Sequence, residues 1–187
     1  EERMLLAAWP GVLGADSNAV MVLAPRHPER FDAVAALVEA SGFVCVRASV
    51  FRQLPVPIAA GSVFLLDTIG DLASVYSLGA VAFVGGSLVA KGGHNPLEAA
   101  RFGVPVVMGR SYENFREIVD AMRRHDAIRI VDDRVIGETL VAMLDTGGEA
   151  RAMGERGREV FEAQAGATAR TVGALMDLLS KSAAGGR

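Results

Sequence analysis

Short β-branched runs alternate with helically patterned segments along most of the chain, and this alternation constrains the fold more than any other feature. A strand, a helix and a second strand close as a right-handed parallel unit, so repetition builds a parallel sheet flanked by helices. Residues 2–14 read as a helix, Ala19–Ala24 as a strand, and Pro28–Ala40 as the helix that follows. Strands are expected at Phe43–Arg47, Val63–Leu66, Val81–Val84, Val104–Met108 and Ile128–Val131, with a loop over Ser49–Gly61 that contains Pro55 and Pro57. Thr68 and Asp71 stand three apart, the spacing of a capping box, ahead of the next helix. Another helix starts near Pro96, and Asn114–Arg124 reads as a further one. Beyond Asp132 the pattern is helical in three segments, broken around Thr146-Gly147-Gly148 and Gln164–Gly166. The expected fold is one α/β unit over residues 1–187, a Rossmann-like parallel sheet with helices on its faces.

Composition narrows the function. A net charge of -3 provides no concentrated basic face, so nucleic acid is not an expected partner. No run of about 18 apolar residues is present, so no transmembrane helix is expected, and a cytoplasmic setting fits the single cysteine. Cys45 sits in the apolar run Phe43–Val46, where a packed thiol is expected. No metal-ligand cluster is visible, and no metal or cofactor is expected.

In open parallel sheets ligands bind outside the carboxyl ends of the strands, and three informative segments fall there. The first holds Gly85-Gly86-Ser87, a spacer, and then Gly92-Gly93-His94-Asn95-Pro96-Leu97-Glu98. Asn95 suits the N-cap and Pro96 the first helical position, and the free amides of that turn suit a phosphate. Glu98 is either the carboxylate of a capping box or an acceptor for adjacent ribose hydroxyls. His94 orders the loop or transfers a proton, and Lys91 neutralises a phosphate or is simply solvated. The second segment is Pro25-Arg26-His27-Pro28, where two prolines restrict Arg26. Its guanidinium suits bidentate phosphate recognition, unless a surface ion pair with Glu29 or a neighbour takes it. The third, Gly109–Phe115, places Asn114 as a cap for the helix after it, with Met108 and Phe115 as core or pocket wall.

Taken together, PRHPERF, DTIGDL, FVGGSL, GGHNPLEAARFGVPVVMG and the later NF resemble the C-terminal domain of the 3-deoxy-D-manno-octulosonic acid (Kdo) transferases. The likeness runs from about Leu5 to Leu179. It implies one half of a GT-B fold, the nucleotide-sugar (donor) half, with an N-terminal acceptor domain outside this chain. Members of the family move Kdo from CMP-Kdo onto a lipid A precursor at the cytoplasmic face of the inner membrane. The resemblance implies that Arg26, with His27 beside it, meets the donor phosphate and that Glu98 meets the ribose hydroxyls. Gly92, Gly93, His94 and Asn95 would form the phosphate-side loop, Gly86 and Ser87 would line the same pocket, and Ile69 and Gly70 would sit beside the cytosine. Lys91 and Asn114 complete the expected substrate-binding set.

The chain departs from that pattern at Ala90, Lys91 and Arg110, of which Lys91 and Arg110 add positive charge near the loop. The family's general base lies in the N-terminal domain, so no catalytic residue is expected here and the fragment is expected to bind CMP-Kdo or CMP without turning it over. A strand expected ahead of Glu1 would be central in the sheet, so its absence predicts open edges and self-association or marginal stability. Two other readings remain at this level: the donor half of a UDP-sugar transferase or epimerase, and a non-catalytic nucleotide-binding module.

Overall fold

The computed structural model describes residues 1–55, 57–144 and 148–184. In chain order the elements are α1 (Glu2–Ala15), β1 (Met21–Leu23), α2 (Phe31–Ala40), β2 (Cys45–Arg47), α3 (Ala48–Phe51), β3 (Val63–Leu65) and α4 (Leu72–Tyr76). They continue with β4 (Ala82–Val84), α5 (Leu97–Ala100), β5 (Val106–Met108), α6 (Arg116–Arg124), β6 (Ile128–Ile130), α7 (Ile136–Leu144) and α8 (Glu149–Ala184). Single 3-10 turns, Pro28–Arg30 and Glu113–Phe115, lead into α2 and α6.

All strand pairs are parallel, but the ladder is divided. One three-stranded sheet has the order β1-β3-β2 and the other β4-β5-β6. Val63 is level with both Met21 and Cys45, and Val106 with both Ala82 and Ile128. Neither β1 nor β4 pairs on its second side among the described residues. The expected single sheet is therefore two half-sheets, joined by packing instead of by hydrogen bonds. Met21 of β1 and Phe83 of β4 both pack on the cluster formed by Trp9, Val12, Val107, Val131, Ile136 and Leu140. Beside the open β1 edge Val20 and Val22 are exposed.

Strand alternation explains why β5 is the best-buried strand. Val106 and Met108 face Val119, Met122 and Val160 on the α6 and α8 side, while Val107 faces α1 and α7. In the other half-sheet Val63 and Leu65 pack on Val34, Ala35 and Val38 of α2. Trp9 donates its ring N–H to the Gly61 carbonyl at 3.2 Å, which ties α1 to the turn before β3.

Three local expectations change. Thr68 and Asp71 do not form a capping box: the Thr68 hydroxyl donates to the Asp71 carboxylate, which also pairs with Arg52, and no side chain caps α4. The segment after β2 opens with the short helix α3 instead of a loop. No break occurs at Gln164–Gly166, because α8 runs through it. A lone glycine costs a helix about 1 kcal/mol, and the Glu, Gln and Ala residues around Gly166 favour its continuation. The other expected break falls on Thr146 and Gly147, which lie outside the described residues, and on Gly148, which precedes α8 with φ +88°.

Candidate functional site

The loops after β1, β3, β4, β5 and β6 all leave carboxyl ends of parallel strands. Two of them are laced together. Gly93 N–H donates to Gly86 O and His94 N–H to Gly85 O, while Ser111 N–H donates to Ser87 O. Ser87, 1 % exposed, donates its hydroxyl to Val84 O at 2.6 Å and accepts from Gly109 N–H at 2.8 Å. The Ser87 hydroxyl is thus held inside the frame, although Ser87 still lines a cavity of about 330 Å³ with Leu88, Val89, Arg110, Ser111 and Asp132.

Gly92 and Gly93 have φ of +79° and +74°, in the left-handed region that glycine enters freely. A Cβ on Gly92 would lie 2.4 Å from Asn114 Nδ2, and one on Gly93 would lie 2.3 Å from Met108 Cε. Asn114 does not cap α6. Its amide donates to Lys91 O at 3.2 Å, and its backbone N–H donates to Gly92 O, so it braces the glycine turn.

The start of α5 holds a different balance. Asn95 Oδ1 accepts from Leu97 N–H at 3.1 Å, so Asn95 does cap this turn, but the helix itself begins at Leu97 and has four residues. Such a short helix has little macrodipole, so any attraction for an anion comes from individual donors. The N–H groups of Gly92, Gly93 and His94 are engaged within the protein. Those of Asn95 and Glu98 have no hydrogen-bond partner among the described residues. Glu98 is exposed and does not turn back to the Asn95 amide, which removes the capping-box alternative.

Charged side chains gather around His94. Burial pushes its pKa below the usual 6.5, and the Arg26 guanidinium and His27 push it the same way, against the Glu1 and Glu98 carboxylates. These groups come from the loop after β1, the start of α1 and the start of α5, so the fold places them within electrostatic reach of one imidazole. Tyr76 belongs to the same group: burial first, then the Glu98 charge, raises its hydroxyl to about 12. Arg26 is exposed and makes no ion pair among the described residues; the neighbour of Glu29 is His27, at 3.7 Å. Lys91 is also exposed, and its ammonium has no acidic partner among the described residues.

Ile69 and Gly70 lie in the loop after β3, Ile69 with 83 % of its surface exposed and Gly70 at φ +93°. Among the described residues no hydrogen bond joins them to the glycine loop. They lie at the carboxyl end of the other half-sheet and outside the glycine loop's hydrogen-bond network. Two contributors escaped the sequence reading. Ser111 accepts the Gly92 N–H at 2.9 Å, and Glu1 binds the loop at Gly86–Leu88. Ser111 lies in the Gly109–Phe115 segment but was given no role there, Glu1 lies in no motif, and only the fold brings either to the loop.

No protein-family model matches the chain. It is 35 % identical over 181 residues to the 3-deoxy-D-manno-octulosonic acid transferase of Haemophilus influenzae, covering 96 % of this chain and 41 % of that protein. To the transferase of the same name from Bordetella pertussis it is 37 % identical over 166 residues, covering 88 % of this chain and 38 % of that protein. The chain thus spans about two fifths of the length of these relatives. Among solved structures, the C-terminal CMP-Kdo binding domain of WaaA from Acinetobacter baumannii superposes with a TM-score of 0.76 at 34 % identity, covering 85 % of this chain and 82 % of that one. Parallel sheets flanked by helices, with a glycine loop at their carboxyl edge, match the C-terminal half of a GT-B glycosyltransferase. The chain belongs to the 3-deoxy-D-manno-octulosonic acid transferase family.

Proposed function

We propose that this chain is the donor-binding part of a Kdo transferase and that it holds CMP-Kdo, or CMP after transfer, at the carboxyl edge of its sheets. The observation that carries this reading is the convergence of Arg26, His27 and Glu98 on His94, with Arg26 free of any acidic partner among the described residues. An unpaired guanidinium within electrostatic reach of His94, and amides at Asn95 and Glu98 without a partner among the described residues, suit a phosphate, and an exposed carboxylate on the same turn suits vicinal hydroxyls. The name of the Acinetobacter baumannii domain supports the same ligand.

In the complete enzyme, the acceptor hydroxyl oxygen would bond to the anomeric carbon as the bond to the CMP phosphate breaks. The acceptor's proton would pass to a base outside this chain. Arg26, the free amides and Lys91 would stabilise the charge left on the departing phosphate, a role that needs donors fixed in advance. The acceptor would be a lipid A precursor at the cytoplasmic face of the inner membrane, bound by the other domain. No described helix is long and apolar enough to cross a membrane. The open edges of β1 and β4 and exposed Val20 and Val22 support self-association of the isolated chain.

Calorimetry on the chain and on Arg26→Ala tests the site. CMP is expected to bind in preference to UMP, CDP and UDP, and the substitution is expected to weaken CMP about tenfold or more, as for loss of a charge-assisted hydrogen bond. Thermal stability should not change. Unaltered CMP affinity removes Arg26 from the site, and preference for UDP overturns the donor assignment.

A further inference from the structure

The glycine loop after β4 is gripped by a carboxylate from the far end of the sequence. Gly86 N–H donates to Glu1 Oε2 at 2.6 Å, and the Ser87 and Leu88 N–H groups donate to Glu1 Oε1 at 2.8 and 2.7 Å. Consecutive amides turned to one side form a concavity for an anion, and bonds from them to a carboxylate are of the strong, charge-assisted kind. The Glu1 side chain is 15 % exposed, so water competes little for these bonds. Its carbonyl accepts the Met4 and Leu5 N–H groups, so the residue that holds the loop is itself held by α1.

The grip is next to the proposed donor site. Gly85 and Gly86 accept, through their carbonyls, the N–H groups of His94 and Gly93. A Cβ on Gly86 would lie 3.2 Å from His94 Nε2, and one on Gly85 would lie 3.4 Å from Glu1 Oε2 and 3.9 Å from His94 Nδ1. The Glu1 carboxylate and the His94 imidazole therefore flank the same short stretch of backbone. Glu2 has different partners, Arg30 at 2.8 Å and the Glu1 amino group at 3.6 Å, and its carboxylate makes no hydrogen bond to the loop.

We propose that Glu1 is a positioning residue of the donor site: its carboxylate clamps the Gly86–Leu88 backbone and, through Gly85 and Gly86, sets the position of Gly93 and His94. The consequence for ligand binding rests on the donor reading above; the clamp does not.

The experiment compares the 187-residue chain with Glu1→Gln, Glu1→Asp and the control Glu2→Gln. Three quantities are read: amide hydrogen exchange at Gly86, Ser87 and Leu88, the His94 titration midpoint by NMR, and CMP affinity. Glu1→Gln puts an NH2 group where an oxygen accepted an N–H. Exchange at the three amides is expected to quicken about tenfold or more, and CMP affinity to fall about tenfold. The His94 midpoint should fall, because a negative charge leaves while Arg26, His27 and Glu98 stay. Glu1→Asp keeps the charge on a shorter side chain, so it should restore most of the midpoint with a smaller change in exchange. Glu2→Gln should move none of the three. Unchanged exchange in both Glu1 variants, or equal effects from Glu1→Gln and Glu2→Gln, overturns the clamp. If the unsubstituted chain does not bind CMP, the donor reading fails by itself, and exchange and the His94 midpoint still decide the clamp.

Discussion

The loops over β4 and β5 and the loop over β1 sit on the same kind of edge but are built in opposite ways. Over β4 and β5 many polar groups are satisfied from within: Ser87 bridges Val84 and Gly109, Ser111 meets Gly92, Asn114 meets Lys91, and Glu1 closes the Gly86–Leu88 turn. Over β1, Arg26 stands in solvent without an acidic partner among the described residues, whereas over β3 Ile69 is exposed while Asp67 and Asp71 are paired. A region whose donors are engaged can hold a shape, whereas one with free donors can hold a ligand. The start of α5 combines the two, with Asn95 engaged through its side chain while its N–H and the Glu98 carboxylate are free.

Substitutions sharpen this contrast, since changes to the frame should register in stability and changes to the exposed groups in binding. The largest effect is expected for Gly93→Ala. Its Cβ would meet Met108 Cε at 2.3 Å and Ser111 O at 3.0 Å, at a φ of +74°. Left-handed strain and overpacking together should cost about 3 kcal/mol, measured by denaturant unfolding. A loss below about 0.5 kcal/mol, the scale of an ordinary surface change, would break the comparison at its stiffest point.

Glu98→Ala comes next. Because the Glu98 carboxylate has no hydrogen-bond partner among the described residues, stability should hold while CMP affinity drops about tenfold, the scale of a lost hydrogen bond to a charged group. The unsubstituted chain should prefer CMP to 2′-deoxy-CMP, and the variant should lose that preference. If both bind the two nucleotides alike, Glu98 does not meet the ribose.

The smallest effect is a pH slope. Burial, with Arg26 and His27, depresses the His94 pKa below 6.5 in the fold. The unfolded chain therefore takes up the proton first as pH falls. The stability contributed by neutral His94 is full above about 6.5 and declines as pH drops below it. Asp67 acts in a lower window. Burial raises its pKa, but bonds from Ser49 and Arg47 outweigh this and hold it below 3.8, so its contribution is lost only in acid. His94→Gln should flatten the stability profile just below pH 6.5 and leave the acid limb unchanged. An identical slope in both proteins would remove His94 from that window.

Much of the architecture was legible in the chain. Strand positions followed from β-branched runs, because β5 is buried on both faces and needs Val-Val-Met without a polar alternation. The start of α5 was legible to within one residue, because Asn95 and Pro96 carry their preferences locally. Errors came where the partner was distant. Thr68 and Asp71 have the spacing of a capping box, but Arg52 supplies a charge that local spacing cannot foresee. Asn114 looked like a cap until the glycine turn was found against it.

By itself the sequence determined the alternation of elements, the glycine-rich loop ahead of Pro96, and the family likeness carried by GGHNPLE. These depend on backbone conformations and short-range periodicity, which neighbouring residues impose. Only the tertiary structure decided that the parallel ladder divides between β1 and β4, that the Ser87 hydroxyl faces inward, and that Arg26, Glu98 and Glu1 act on one imidazole. Those facts arise from contacts between residues far apart in the chain, and their energies exist only after the half-sheets have packed.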